Sequence, residues 1–269
     1  SFTGATEITV STAEFSDAID YHVVSIDVVA AAAPLTVTAA DHPGQTEAND
    51  GNADEIRVVR NGTVLEVSVN GRQTAQAEFV SVTTLTIDGS RDDDTLIVDY
   101  SGGNPFPSGG IVFSGYTVDP DEVNPPADTG TDSLEFTGGT IEEMIYSFVN
   151  ANDGSVNLDA RLLAYSGLEP IVDNLSVTDR IFAFSSADDV ITVSDDGNPA
   201  NGLSRISSSG TSETVDFSTP LGSLTIFGGA GNDTINVGDL ESGAFPTTVD
   251  GGSGNDAITG SAAGDLLRG

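Results

Sequence analysis

The sequence predicts an all-β chain, a parallel β-solenoid of the β-helix or β-roll kind whose turns become glycine-rich toward the C-terminus. Three observations predict it. A short pattern recurs: Asp, any residue, an aliphatic, any residue, then an aliphatic or aromatic. Apolar residues alternate at i, i+2, and helical spacing at i, i+3, i+4 is nearly absent. The chain holds 31 Gly but only 6% aromatic residues, a composition suited to many tight corners around a narrow core.

Taken in order, residues 1–50 form an N-terminal β segment containing the strand-like run VVSIDVV, and a sandwich remains an alternative there. Residues 51–222 read as a degenerate-repeat solenoid, with the Asp pattern at DEIRV (Asp54 to Val58), DTLIV (Asp94 to Val98), DSLEF (Asp132 to Phe136) and DVITV (Asp189 to Val193). Residues 223–269 carry DTINV (Asp233 to Val237) and weaker copies at Asp256 and Asp265. A second short strand precedes three of the copies, at Leu85 to Ile87, Leu224 to Ile226 and Thr247 to Val249. Ile141 to Tyr146 is open between a helical turn and a strand. A string of immunoglobulin-like sandwiches is the competing arrangement. The glycine corners, the scarce aromatics and the nine-residue step from Asp256 to Asp265 favour the solenoid.

Charge excludes several function classes. The 269 residues carry 42 Asp+Glu against 8 Lys+Arg, a net charge of −34, and all eight cations are Arg. Nucleic acid and anionic membrane surfaces need clustered cations, so neither is an expected partner. No apolar run approaches the roughly 20 residues of a membrane span, so no membrane insertion is expected. The absence of Cys removes disulfides and thiolate chemistry. Asp outnumbers Glu by 29 to 13 and often lies beside Gly or Asn, which suits turns and hard-cation binding.

The most specific signal is C-terminal. GGAGNDTIN (Gly228 to Asn236) and GGSGNDAIT (Gly251 to Thr259) match a glycine-rich nonapeptide at every defined position, and GSAAGDLLR (Gly260 to Arg268) follows in immediate register. This resembles the hemolysin-type (RTX) calcium-binding repeat of exported bacterial proteins. Upstream, SRDDDTLIV (Ser90 to Val98) and SSADDVITV (Ser185 to Val193) align as degenerate copies. The longer cadence from residue 50 onward is similar to repeats of very large bacterial surface proteins.

The resemblance implies Ca2+ as the bound ion, held between two turns stacked on the same side of the coil. The residues it marks as metal ligands or ligand turns are Gly228, Gly229, Gly231 and Asp233, then Gly251, Gly252, Gly254 and Asp256, and Asp265. Such turns turn backbone carbonyls toward one point and add a carboxylate, and calcium accepts six to eight oxygens in irregular geometry. The step of 23 residues from Gly228 to Gly251 is two nonapeptides plus five, so Asp233 and the later turn are expected to share an ion. Asp256 and Asp265 are expected on opposite sides, with partners beyond Gly269.

Other chemistry has little material. His22 and His42 are the only imidazoles, and both sit in strand or turn contexts. Three adjacent carboxylates, Asp92, Asp93 and Asp94, call for either solvation or a bridging cation. The expected function is a calcium-binding structural or adhesive segment, with no catalytic residues, of a large exported protein at the bacterial cell surface. It self-assembles end to end or laterally into a layer or filament, with other copies, the parent chain or cell-surface glycans as partners. The alternative is a β-helical polysaccharide lyase, epimerase or hydrolase carrying the repeats. Such an enzyme needs stacked Arg and aromatic side chains on one face.

Overall fold

The computed structural model describes residues 5–13, 23–39, 51–116, 130–198 and 200–269. His22 and His42 lie outside the described residues. Strands β1 (Ala5–Ala13) and β2 (Val23–Ala30) pair antiparallel as a separate two-stranded sheet. From β3 onward the chain alternates between two large sheets.

β3 (Ala33–Thr38) lies at the edge of a ten-stranded sheet. β4 (Glu55–Asn61), β5 (Val64–Val69) and β6 (Arg72–Glu78) enter an eleven-stranded sheet. The chain then steps back with β7 (Val82–Asp88), across with β8 (Thr95–Asp99), back with β9 (Ile111–Ser114) and across with β10 (Asp132–Thr137). β11 (Thr140–Phe148), β12 (Gly154–Leu158) and β13 (Arg161–Ser166) all join the ten-stranded sheet. β14 (Leu168–Asp173) crosses over and β15 (Ser176–Ala183) returns, before β16 (Val190–Asp195), β17 (Leu203–Ser208) and β18 (Val215–Ser218) all join the eleven-stranded sheet. The last steps alternate singly through β19 (Ser223–Phe227), β20 (Thr234–Val237), β21 (Thr247–Asp250), β22 (Ala257–Thr259) and β23 (Leu266–Arg268).

The fold is therefore all-β with two mixed sheets. Strands from successive alternations pair in parallel, as β4 with β8, β8 with β10, and β19 with β21. The wholly parallel arrangement expected from sequence is interrupted by three antiparallel meanders, β4–β6, β11–β13 and β16–β18. The reason is turn chemistry. Asn61-Gly62 and Asn70-Gly71 close hairpins around β5, with φ positive at Gly62, Asn70 and Gly71. Ile141 to Tyr146 is strand, inside β11.

The recurring pattern sets the core. Its aliphatic and aromatic positions point inward: Ile56 and Val58, Leu96 and Val98, Leu134 and Phe136, Ile191 and Val193, Ile235 and Val237 are all buried. They join one continuous cluster with Leu85, Ile87, Leu224, Ile226 and Val249 from the other sheet. Mid-molecule the layer thickens into an aromatic stack, with Tyr146 and Phe182 centroids 4.9 Å apart and Phe182 meeting Phe217 of the opposite sheet at 5.2 Å. Among these rings Arg180 is fully buried, its Nε and Nη2 donating to Asp173 Oδ2 at 3.0 and 2.6 Å.

Candidate metal centre

The corners where the chain passes into the eleven-stranded sheet stack into columns. In the C-terminal column the turns 184–189, 228–233 and 251–256 lie one on another, ahead of the parallel strands β16, β20 and β22. Each Asp that opens a strand donates its backbone N–H to the carboxylate of the next turn. Asp189 N–H reaches Asp233 Oδ1 at 2.8 Å, and Asp233 N–H reaches Asp256 Oδ1 at 3.0 Å. The preceding position bonds in the opposite sense, the later turn donating to the earlier one, with Asn232 N–H on Asp188 Oδ1 at 2.7 Å and Asn255 N–H on Asn232 Oδ1 at 3.1 Å.

Glycine is required here by close approach as well as by backbone angle. Gly229, Gly231, Gly252 and Gly254 all have positive φ, and a Cβ on any of them would overlap a carbonyl oxygen of the turn on its N-terminal side, those of Ser185, Ala187, Gly229 and Gly231 respectively. Gly228 and Gly251 serve differently. The space of their missing Cβ is filled by the second carboxylate oxygen of their own turn, Asp233 Oδ2 at 2.6 Å and Asp256 Oδ2 at 2.5 Å. Gly260 stands in the same relation to Asp265. The functional spacing is thus Gly, four residues, Asp.

That spacing corrects the frame of the degenerate copies. Gly89 lies 2.8 Å, measured from its Cβ position, from Asp94 Oδ2, so the upstream repeat begins at Gly89 rather than Ser90. Gly229 and Gly231 stack on Ser185 and Ala187, so the other begins at Phe184 rather than Ser185.

The oxygens differ in how they are satisfied. Asp189 Oδ2, Asp233 Oδ2 and Asp256 Oδ2 are buried atoms with no hydrogen-bond partner. Burial pushes the Asp233 carboxyl above its usual range; the N–H of Asp189 opposes this, and the neighbouring Asp189, Asp256 and Asp188 carboxylates add to it. The paired arginines are occupied elsewhere, Arg57 with Asp99, Arg180 with Asp173, Arg205 with Asp216 and Arg268 with Asp250. A stack of buried like charges with orphaned oxygens fits a bound cation. Among the described residues no three His, Asp or Glu side chains converge on one metal position. An ion at this corner would therefore take backbone carbonyls together with the carboxylates.

The predicted residues separate accordingly. Gly228, Gly229, Gly231 and Asp233 are brought against Gly251, Gly252, Gly254 and Asp256. Asp265 is not: it precedes β23 in the other sheet, and its Oδ1 accepts Thr247 N–H at 2.9 Å. Sequence reasoning passed over the run Ser207 to Ser212, a Ser/Gly/Thr stretch whose hydroxyls close the far end of the column on Asp189. No protein-family model, curated protein or solved structure matches the chain.

Proposed function

We propose that this chain is a calcium-stabilised structural segment of a large exported bacterial surface protein, built as a two-walled β-solenoid with one strand per wall in each plain coil. One observation carries the reading: two stacked glycine turns, 228–233 and 251–256, hold Asp233 Oδ2 and Asp256 Oδ2 buried and without partners. The charge of −34 supports it, since millimolar calcium outside a cell would both neutralise and rigidify such a body.

Self-association follows from the same architecture. The last strands leave Leu266 and Leu267 50% and 43% exposed although Leu267 lies beside fully buried Val249, a surface suited to end-to-end contact with another copy or the parent chain. Laterally, Ile145, Ile181, Thr225, Thr248 and Leu266 form an uncharged outward row across five strands. Cell-surface glycans remain the third partner class. Of the aromatic and basic side chains that a glycan-cleaving enzyme would present outward, Tyr100, Tyr146, Tyr165 and Arg180 are turned inward, whereas Arg60 over Phe79 and Arg91 over Tyr116 are partly exposed and keep that enzyme as the alternative.

Thermal unfolding in CaCl2 against NaCl of equal ionic strength tests the reading. An ion bound only to the folded turns stabilises by about 2.7 kcal/mol at a hundredfold excess over Kd. Tm should rise with calcium well beyond the sodium control, and equal shifts would defeat the specific site.

A further inference from the structure

The turn 184–189 carries none of the glycines of the repeat, yet it occupies the first position of the same column. Its lack of glycine has a steric explanation. At 229, 231, 252 and 254 a Cβ would strike a carbonyl of the turn on the N-terminal side. The strand that follows turn 184–189, β16, has no such turn on its N-terminal side; its neighbour there is the antiparallel β17. Ser185 and Ala187 are therefore tolerated, and their carbonyls still point along the stack onto Gly229 and Gly231. The motif is lost because no turn lies behind it, while the oxygens remain.

Asp189 itself is prepared as a ligand. It is 1% exposed, as is Asp233. Its Oδ1 accepts the Ser208 hydroxyl at 3.0 Å and the Thr211 hydroxyl, and Thr211 Oγ1 lies 2.6 Å from Ser208 Oγ. Ser212 Oγ accepts Ser208 N–H at 2.8 Å and fixes the loop. These contacts fix the carboxylate through one oxygen and leave Oδ2 with no partner. Fixing one oxygen while burying the other unpartnered is costly for a carboxylate unless a cation compensates it.

We infer that turns 184–189 and 228–233 form a second divalent-cation site, with Asp189 and Asp233 as its carboxylates, backbone carbonyls completing it, and the Ser208–Ser212 loop as the clamp that orients Asp189. Calcium is the fitting ion because every available donor is a hard oxygen. The inference rests on the calcium reading of this column and adds a site where the repeat motif is absent.

Calorimetric titration of CaCl2 into the whole chain tests it, using the parent, Asp189→Asn, Thr211→Val and Gly243→Ala as a remote control. Asp189→Asn should bind one ion fewer, or weaken one site at least tenfold, with the remaining binding unchanged. Thr211→Val should weaken the same site severalfold by freeing the carboxylate, and Gly243→Ala should match the parent. Circular dichroism in EDTA checks that each variant is folded; if Asp189→Asn is not, Thr211→Val alone decides. Parent-like stoichiometry and affinity in the folded variants would overturn the second site and leave the first intact. A parent that binds no calcium overturns both.

Discussion

Replacing Gly231 by Ala separates the two reasons for glycine in the column. Gly231 has φ +124°, and a Cβ there would overlap the Ala187 carbonyl oxygen and lie 2.8 Å from its carbon. Gly243 has φ +99° with nothing within 4 Å of a Cβ, so Gly243→Ala carries the backbone cost alone. That cost is roughly 1–2 kcal/mol. In Gly231→Ala the turns must also separate, which stretches the bonds from Asn232 N–H to Asp188 Oδ1 at 2.7 Å and from Asp189 N–H to Asp233 Oδ1 at 2.8 Å. At about 1 kcal/mol each these bring the total to roughly 3–4 kcal/mol. Urea unfolding followed by circular dichroism, with m-values compared to confirm a common unfolded state, measures both variants. If they lose the same stability within error, close approach of the turns is not what selects glycine at 231, and the stacking described above is wrong.

Two further outcomes follow from buried ionisable groups. Arg180→Met should cost about 3–5 kcal/mol in urea unfolding, because it leaves Asp173 buried with only Tyr146 Oη–H and Leu175 N–H as donors; Asp173→Asn in the same background should recover part of that loss. Burial pushes the Glu213 carboxyl up to about 8, raised further by Asp153 and Glu169 and opposed by its own backbone N–H and by Tyr165. A raised acid binds its proton more tightly when folded, so this group's stabilisation is present below its unfolded pKa and is lost as pH rises toward 8. Glu213→Gln should therefore flatten the fall in Tm between pH 5 and pH 9, and an unchanged slope would place the titration elsewhere.

The inward face was legible because a period-two pattern has only one buried solution. Ile56, Leu96, Leu134, Ile191 and Ile235 each follow their Asp by two residues, and all are buried. The terminal turns were legible because clustered glycines mark positive φ and close approach, which Gly229, Gly231, Gly252 and Gly254 all show. The meanders were not read as such, although Asn61-Gly62 and Asn70-Gly71 announced the first. The β12–β13 hairpin turns through Asp159 and Ala160 with φ of 49° and 63°, a conformation neither residue advertises. Strand β17 is Leu-Ser-Arg-Ile-Ser-Ser, too polar to stand out, and Arg180 hides in sequence although it shares inward parity with Phe182 and Phe184. The one-residue error in the repeat frame arose because the degenerate copies were aligned on their last Asp and strand, with no glycine inside them to mark where the turn begins. The structural invariant is one Gly whose Cβ space the carboxylate takes.

The meanders also set the extent of the two sheets and the length of the Asp columns. β11–β13 add two strands to the ten-stranded sheet and β16–β18 add two to the eleven-stranded one, so the second insertion restores the match that the first disturbs. Sheets of unequal extent would leave inner apolar faces uncovered. Between the insertions β14 enters the eleven-stranded sheet with Leu168 in register with Asp132, and the Asp column breaks there. In the N-terminal part, Asp92 Oδ2 accepts Gly51 N–H at 2.9 Å, Asp93 Oδ1 accepts Thr131 N–H at 2.8 Å, and Asp94 accepts Asp54 N–H on one oxygen and Ser90 N–H on the other. The three adjacent carboxylates thus fan out onto separate backbone donors and need no bridging ion. At Asp233 and Asp256 the neighbouring turn supplies an N–H donor to Oδ1, and Oδ2 has none. The same turn geometry therefore saturates Asp94 and leaves Asp233 and Asp256 half-satisfied, a difference in hydrogen bonding that favours the C-terminal turns for the proposed calcium.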